Sequence, residues 1–293
     1  MTRARRAGKT GGVTHSTPPT HVIVLPGGGY SHHAEHEGEP VVAWLRGLGM
    51  RASTFLYPVA TRHPAVLDAV RAEVRRVREQ WAAEHESEPG DGASASATSR
   101  APALRVGVLG FSAGGHAAGH AAYAPLDAAE ALARGLGPEL APGSDPSPLG
   151  RPDFAVLAYP VVSMLTKTHA GSRRNLLGDG PSDEATDALD ADADADAADR
   201  YDLLRASTSL ERLVTPGAPP AFVWHTAEDA VVPVGHAYRL GRALASAKVP
   251  HELHVWPHGP HGLGLATGER FAGEAVRWTE ACERWLRAEG WLA

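Results

Sequence analysis

The chain has 293 residues, of which 43% are hydrophobic, and this permits one large α/β domain or two small ones. The formal net charge of −6 argues against nucleic acid as the main partner. The single cysteine, Cys282, excludes an intrachain disulfide and is expected to pack as a small hydrophobic side chain on the last helix. No apolar run approaches the roughly 20 residues of a membrane span, so we expect a soluble, cytoplasmic chain without a membrane partner.

The N-terminal segment, residues 1–20, is basic and then rich in Gly, Thr and Pro, and it is predicted to be a disordered arm rather than a signal peptide. A single domain is expected over residues 21–293. The first predicted strand, residues 21–25, leads directly into a Pro-Gly-Gly-Gly-Tyr stretch at residues 26–30. Glycines after a strand let backbone N–H groups approach a ligand closely. Their spacing matches neither nucleotide-binding glycine motif, so nucleotide binding is the weaker interpretation.

The following segments alternate between strand and helix patterns. Helices are predicted over residues 40–48, 64–84, 113–123, 233–247 and 269–291, and strands over residues 51–57, 104–109, 154–159, 221–225 and 251–256. This alternation predicts an α/β fold with a mostly parallel central sheet and helices on both faces. Loop insertions are expected at residues 85–102, 124–152 and 161–201. Aspartates alternate with alanines over residues 190–196, but the glycine and glutamate of a calcium loop are missing, so a solvated acidic loop is predicted.

A G-x-S-x-G pattern, residues 110–114, lies between a predicted buried strand and a helix of small residues. A serine on such a sharp strand-to-helix turn has its hydroxyl exposed above the sheet. Glycine is expected at both ends of the pattern, because a side chain there would clash with the neighbouring strand or helix. The helix N-terminus behind Ser112 adds a positive dipole where an oxyanion would form. The pattern therefore indicates a nucleophile, and a Gly/Ser-rich connecting turn is the alternative.

A serine nucleophile needs a base, and an imidazole base needs a carboxylate that fixes its tautomer. The glycine stretch 26–30, Ser112, Asp229 and His261 each come directly after a predicted strand. Ligands of parallel sheets bind beyond the carboxyl ends of the strands, so we predict that these groups converge there. The order Ser, Asp, His along the chain is the order of α/β-hydrolases.

The chain resembles α/β-hydrolases of the esterase/lipase superfamily, and within it the branch of acetylxylan-esterase-like or bifunctional deacetylase/feruloyl-esterase-like proteins. The resemblance covers about residues 21–290 and implies that the single domain expected over residues 21–293 is α/β-hydrolase-like. It is carried by residues 25–30, 36–40, 110–115, 219–226, 229–233 and 261–263. The segment before residue 21 is too short and polar for the antiparallel strands that often open this fold. A sheet of about six strands is therefore expected.

This resemblance implies a serine carboxylesterase in which Ser112 is the nucleophile, Asp229 the acid and His261 the base. It also implies an acyl-enzyme on Ser112, no cofactor, and short-chain, acetyl-like ester substrates, among them O-acetylated carbohydrates. The N–H groups that would bind the oxyanion belong to Gly28, Gly29 and Ala113. The alternatives are an acyl-peptidase or lipase that uses the same triad, and a non-catalytic ligand receptor on a hydrolase fold. The sequence indicates no oligomeric state.

Several neighbouring residues compete for these roles. Glu228 is the alternative to Asp229 as the acid. His258 is the alternative to His261 as the base, and we expect it to lie earlier on the loop and to point outward. His225 is expected to be a structural residue at the end of its strand.

The segment after the glycines contains further candidates. Tyr30 is a candidate substrate-binding residue, and packing in the core is an equally good interpretation of it. His32, His33 and His36 lack the glutamate of an H-E-x-x-H metal motif, so exposed loop histidines are favoured and no metal is predicted.

Overall fold

The computed structural model describes residues 18–85, 103–133, 147–180, 191–267 and 273–293. Its strands are β1 (Thr20–Leu25), β2 (Arg51–Thr54), β3 (Arg105–Phe111), β4 (Phe154–Ala158), β5 (Ala221–Thr226) and β6 (His251–Trp256). They form one sheet in the order β2-β1-β3-β4-β5-β6, and every neighbouring pair is parallel. The predicted six-stranded α/β fold is therefore confirmed. Nearly all of the basic arm and of the 85–102 insertion lie outside the described residues.

Helices cover both faces of the sheet, as predicted. They are α1 (Glu39–Gly47), α2 (Ala65–Glu84), α3 (Ser112–Tyr123), α4 (Ala128–Ala133), α5 (Ala170–Leu177), α6 (Ala191–Ser207), α7 (Leu210–Leu213), α8 (Gly235–Ser246) and α9 (Trp278–Ala288). Successive strand side chains point to opposite faces. Ile23 accordingly packs in a core with α2, α3 and α8, whereas its neighbour Val24 packs with α1 and α9. Cys282 is buried in this second core, as expected.

The bounds of two elements differ from the predicted ones. β2 stops at Thr54 rather than at residue 57. Its partner β1 ends at Leu25, and the glycine stretch that follows is not a strand with which β2 could continue to pair. The last helix, α9, starts at Trp278 after a 3-10 turn and ends before Gly290, which has a φ of 72°. Glycine adopts this left-handed conformation readily, and the N–H of Trp291 then bonds back to the carbonyl of Leu286.

The insertion predicted at residues 161–201 contains helices. Residues 170–177 form α5, and α6 begins inside the acidic run, so the prediction of an acidic loop there is wrong. The physical reason is that alanine, which alternates with aspartate in this run, has the highest helix propensity. Within the described residues, no helix has both the length and the apolar character needed to cross a membrane.

Candidate active site

The candidate residues converge at the carboxyl edge of the sheet. The glycine stretch follows β1, Ser112 follows β3, Asp229 follows β5 and His261 follows β6. β1 and β3 are neighbours, as are β5 and β6, so the parallel sheet delivers all four segments to one edge. The structure thus brings together the groups that the sequence placed after strands.

Ser112 lies on a strained turn between β3 and α3. Its φ is 52°, in the left-handed region that side chains rarely adopt. A Cβ on Gly110 would lie 2.2 Å from the carbonyl oxygen of Gly114, and a Cβ on Gly114 would lie 2.2 Å from that of Leu25. Both glycines are therefore required by close backbone approach, as the sequence pattern predicted.

Ser112, His261 and Asp229 form one line of hydrogen bonds. The Nε2 atom of His261 lies 2.8 Å from Oγ of Ser112, and its Nδ1 atom lies 2.6 Å from Oδ2 of Asp229. A carboxylate only accepts hydrogen bonds, so Nδ1 carries the proton that is shared with Asp229. Nε2 of the neutral ring is then free to accept the proton of the Ser112 hydroxyl.

Asp229 is held in place by its own loop. Its Oδ1 accepts the N–H groups of Val231 and Val232 at 2.9 and 2.8 Å. Its Oδ2 also lies 3.2 Å from Nε2 of His225, which donates to the carbonyl of Val232 as well. Burial alone would raise the pKa of Asp229, but the hydrogen bonds from His225 and His261 outweigh burial and hold this pKa well below its ordinary value. The carboxylate is therefore ionised whenever the chain is folded near neutral pH.

The competing acid and base form a separate pair outside this line. Nδ1 of His258 lies 2.8 Å from Oε1 of Glu228, and the two side chains are 73% and 57% exposed. His258 thus points to solvent, as expected. His225 is fully buried at the end of β5, as expected of a structural residue, and the sequence did not indicate its contact with Asp229.

The glycine stretch lies directly beside the serine. Gly28 and Gly29 have φ values of 124° and 64°, and a Cβ on Gly28 would lie 2.1 Å from the carbonyl oxygen of His32. Among the described residues, neither glycine N–H donates a hydrogen bond. The N–H of Ala113 belongs to the first turn of α3 and has no acceptor within the helix. The stretch approaches the serine at Gly27, where an added Cβ would lie 3.1 Å from Cβ of Ser112.

Helix α5 supports this stretch from the other side. Nδ2 of Asn175 donates to the carbonyl of Gly29 at 2.8 Å. The His169 ring caps the start of α5 by accepting the N–H of Ser172. A Cβ on Gly29 would lie 3.6 Å from the same ring. Sequence reasoning assigned no role to residues 170–177, because their contacts join segments almost 150 residues apart.

Tyr30 packs in the core, so its interpretation as a substrate-binding side chain needs correction. Its side chain is fully buried, and its hydroxyl lies 2.6 Å from Nδ1 of His116. A φ of 64° turns the side chain away from the course of the loop and into the core beside α3. The structural alternative raised by the sequence is the one observed.

Of the histidines after the glycines, His32 bonds to the hydroxyl of the preceding serine and the other two bond to backbone. His33 donates to the carbonyl of Tyr57, and His36 donates to the carbonyl of Gly262 at 2.9 Å. Across the part of the chain that the structure describes, no group of three or more His, Cys, Asp and Glu side chains is arranged to hold a metal ion.

Two buried polar residues without a sequence-based role, Glu37 and Tyr159, lie beside the site. Tyr159 directly follows β4, and this position was the available signal.

Comparison with known proteins adds to this geometry. A sequence model of the alpha/beta hydrolase fold family matches residues 22–265. The endo-1,4-beta-xylanase B of Butyrivibrio fibrisolvens is 33% identical over 257 residues, which are 86% of this chain and 34% of that protein. The acetylxylan esterase of Xylanibacter ruminicola is 27% identical over 263 residues, which are 87% of this chain and 43% of that protein. The chain thus spans less than half the length of either relative.

Solved structures show the same likeness. An acetyl ester-xyloside bifunctional hydrolase from Caldicellulosiruptor lactoaceticus is 32% identical with a TM-score of 0.67, and the match covers 96% of this chain and 86% of that one. A carboxylesterase from Lactobacillus plantarum has a TM-score of 0.62 at 22% identity, covering 94% and 87% of the two chains. At that identity the likeness concerns the fold alone.

Proposed function

The chain belongs to the α/β-hydrolase fold family, and from that premise we propose that it is a serine carboxylesterase. The observation that carries the proposal is the continuous line of hydrogen bonds from Ser112 through His261 to Asp229. A serine hydroxyl is a weak nucleophile unless a positioned base removes its proton, and this line supplies such a base together with the group that orients it. The glycine stretch supports the same proposal, because a Cβ on Gly27 would lie 3.1 Å from Cβ of Ser112 and the N–H groups of the next two glycines donate no hydrogen bond among the described residues.

In the proposed reaction, Oγ of Ser112 attacks the ester carbonyl carbon while Nε2 of His261 takes the hydroxyl proton. The N–H groups of Gly28, Gly29 and Ala113 bind the oxyanion that forms. The imidazolium, stabilised by Asp229, gives its proton to the departing alcohol oxygen, which leaves the acyl group on the serine. A water molecule then attacks the acyl-enzyme and gives a proton to the imidazole. Return of that proton to Oγ releases the carboxylic acid and the free enzyme.

We propose short acyl groups, acetyl above all, on carbohydrate hydroxyls as the substrate class. The support comes from two relatives, one of which is named an acetylxylan esterase and the other an acetyl ester-xyloside bifunctional hydrolase. No step of the reaction needs a cofactor, because the nucleophile, the base and the oxyanion donors are all groups of the chain. Action in the cytoplasm stays a prediction of the sequence.

The test compares the wild-type protein with Ser112→Ala. We expect the wild type to release acetate from acetylated xylo-oligosaccharides and to hydrolyse p-nitrophenyl acetate. Ser112→Ala should lower kcat by on the order of 10⁴-fold with an unchanged thermal melting curve, since triad residues act as a unit. A fluorophosphonate probe should label the wild type at Ser112. Absence of labelling would instead support a receptor, and activity that rises from acetyl to palmitoyl esters at an oil–water interface would support a lipase.

A further inference from the structure

Glu37 is a buried carboxylate behind the glycine stretch. It lies in a 3-10 turn over Glu35–Glu37, and its side chain is 2% exposed. Its Oε2 accepts the N–H of Gly27 at 2.7 Å, and its Oε1 accepts the hydroxyl of Tyr159 at 2.6 Å. A charge that is removed from water is unfavourable unless it is well hydrogen-bonded. Both oxygens of Glu37 are used in this way, and one of them fixes the segment that carries Gly28 and Gly29.

Tyr159 carries the connection onward to the loop of His261. It follows β4 directly and is 1% exposed. Its hydroxyl accepts the N–H of Gly264 at 2.8 Å, three residues after His261. Its ring packs edge-on against the His261 ring, with 5.0 Å between the centroids. Burial, reinforced by Glu37, raises the pKa of the hydroxyl well above its ordinary value. The hydroxyl therefore stays protonated and donates a hydrogen bond to Glu37.

These contacts join two loops that have no strand pairing with each other. A continuous path runs from the N–H of Gly27 through Glu37 and Tyr159 to the N–H of Gly264. We propose that Glu37 and Tyr159 are positioning residues for ester hydrolysis: their bridge fixes the oxyanion-binding glycines relative to His261. The inference rests on the proposed function, and neither residue touches the reacting atoms in this assignment.

The mutual position of the two loops matters because both act on the same tetrahedral intermediate. Oxyanion donors act only when they lie about 2.7–3.1 Å from the developing charge, and a displacement of about 1 Å can lower the rate about 10²-fold. Such a displacement weakens the binding of the transition state more than the binding of the substrate. Loss of the bridge is therefore expected to lower kcat rather than to raise KM.

Glu37→Gln and Tyr159→Phe test the bridge, singly and together. Asp153→Asn is the matched control, because Asp153 also accepts a backbone N–H, that of Val106 at 2.6 Å, but at the amino end of β3. With p-nitrophenyl acetate, we expect each bridge variant to lower kcat about 10- to 100-fold with KM changed less than about threefold. Asp153→Asn should keep kcat even if its melting temperature falls as far. The double variant should be no slower than the slower single variant, because both changes break one path.

Some results would overturn the bridge. Bridge variants that lose melting temperature but keep kcat would show that the contacts serve stability alone. Losses of kcat that multiply in the double variant would show two independent effects. If Glu37→Gln fails to fold, Tyr159→Phe decides the question, because it keeps the ring packing and removes only the hydroxyl.

The rate at which a fluorophosphonate labels Ser112 separates this inference from the proposed substrate. A wild type that labels but does not hydrolyse acetyl esters contradicts the substrate, and slower labelling of the bridge variants then still supports the bridge. Equal labelling rates would contradict it. If the wild type neither reacts with the fluorophosphonate nor hydrolyses acetyl esters, the proposed function and this inference are both contradicted.

Discussion

The Nδ1 atom of His261 and the Oδ2 atom of Asp229 are 2.6 Å apart, and this contact determines which ring nitrogen faces Ser112. The carboxylate can only accept, so the proton resides on Nδ1 and Nε2 stays open to the serine hydroxyl. Glu228, which precedes Asp229, makes a similar contact with His258, which lies on the same loop as His261, and this second pair is exposed. The two acid–histidine pairs thus offer matched variants inside and outside the proposed triad.

Asp229→Asn should lower kcat by on the order of 10⁴-fold for p-nitrophenyl acetate. The amide would donate to Nδ1 of His261 and so place the ring proton on Nε2, where it cannot accept the serine proton. Glu228→Gln, its control, should leave kcat within about twofold, because that side chain is 57% exposed and bonds to a histidine outside the line. Steady-state kinetics gives kcat for both variants, and a melting temperature equal to that of the wild type shows that each variant is folded. A larger loss in Glu228→Gln would show that the acid has been assigned to the wrong residue.

His261→Ala should lower kcat about as far as Ser112→Ala, and combining the two should add little, since the residues act as a unit. His258→Ala removes a histidine three positions earlier on the same loop and should change kcat by less than about twofold. Its side chain is 73% exposed and bonds to Glu228. The measurement is kcat/KM on an acetyl ester together with the rate of fluorophosphonate labelling. The reverse ranking would assign the base to His258.

Asn175→Asp removes the donor that holds the carbonyl of Gly29 and replaces it with a carboxylate of equal size. The resulting repulsion should displace the glycine stretch and lower kcat by on the order of 10-fold, with KM little changed. Arg174→Ala is the control on the same helix, because it removes only an exposed ion pair with Asp179. Comparable losses in both variants would attribute the effect to α5 as a whole and contradict a specific role of the Asn175 contact.

Sequence reasoning located the strand-end residues well, because their chemistry and their local pattern point the same way. Ser112 lies between two glycines that the backbone geometry requires, and Asp229 and His261 each follow a run of residues with strong strand preference. The parallel sheet then determines that they meet. These inferences depend on local sequence and on one topological rule, and both are readable without coordinates.

The residues that the sequence did not identify depend on contacts between distant segments. Glu37 lies between histidine and glycine in a polar stretch that resembles a solvated turn, and its burial accompanies hydrogen bonds to Gly27 and to Tyr159, which is 122 residues later. Tyr30 left two interpretations open, because the φ of 64° that turns its side chain into the core has no sequence signature for a non-glycine residue. The start of α6 was missed since alternating Asp and Ala match no apolar periodicity.

We expect acid to destabilise the fold, because the fold contains buried and partly buried histidines that the proposed mechanism does not use. Burial lowers the pKa of His116 to about 4, and its Nδ1 atom accepts the Tyr30 hydroxyl while its Nε2 atom donates to the carbonyl of Thr208. His63 and His21 also have pKa values lowered to about 4, in both cases first by burial. Burial and then the charge of Arg71 lower the pKa of His120, which is 2% exposed.

Each of these histidines binds a proton more readily in the unfolded chain, where its pKa is about 6.5, than in the folded one. Between pH 6.5 and about 4 the unfolded state therefore holds more protons, and the free energy of unfolding rises with pH in this window. The full contribution is present above pH 6.5 and is lost as the pH falls. Each such group should contribute a slope of about 1.4 kcal/mol per pH unit near the middle of the window.

Urea unfolding at several pH values between 4.5 and 7.5 measures this slope directly. We expect the free energy of unfolding to fall steeply below pH 6.5, with several protons taken up on unfolding. His120→Met should reduce the slope by about one proton, because a neutral side chain of similar volume fills the same buried position. A flat profile in the wild type, or a slope for His120→Met equal to that of the wild type, would contradict the assignment of acid sensitivity to these histidines.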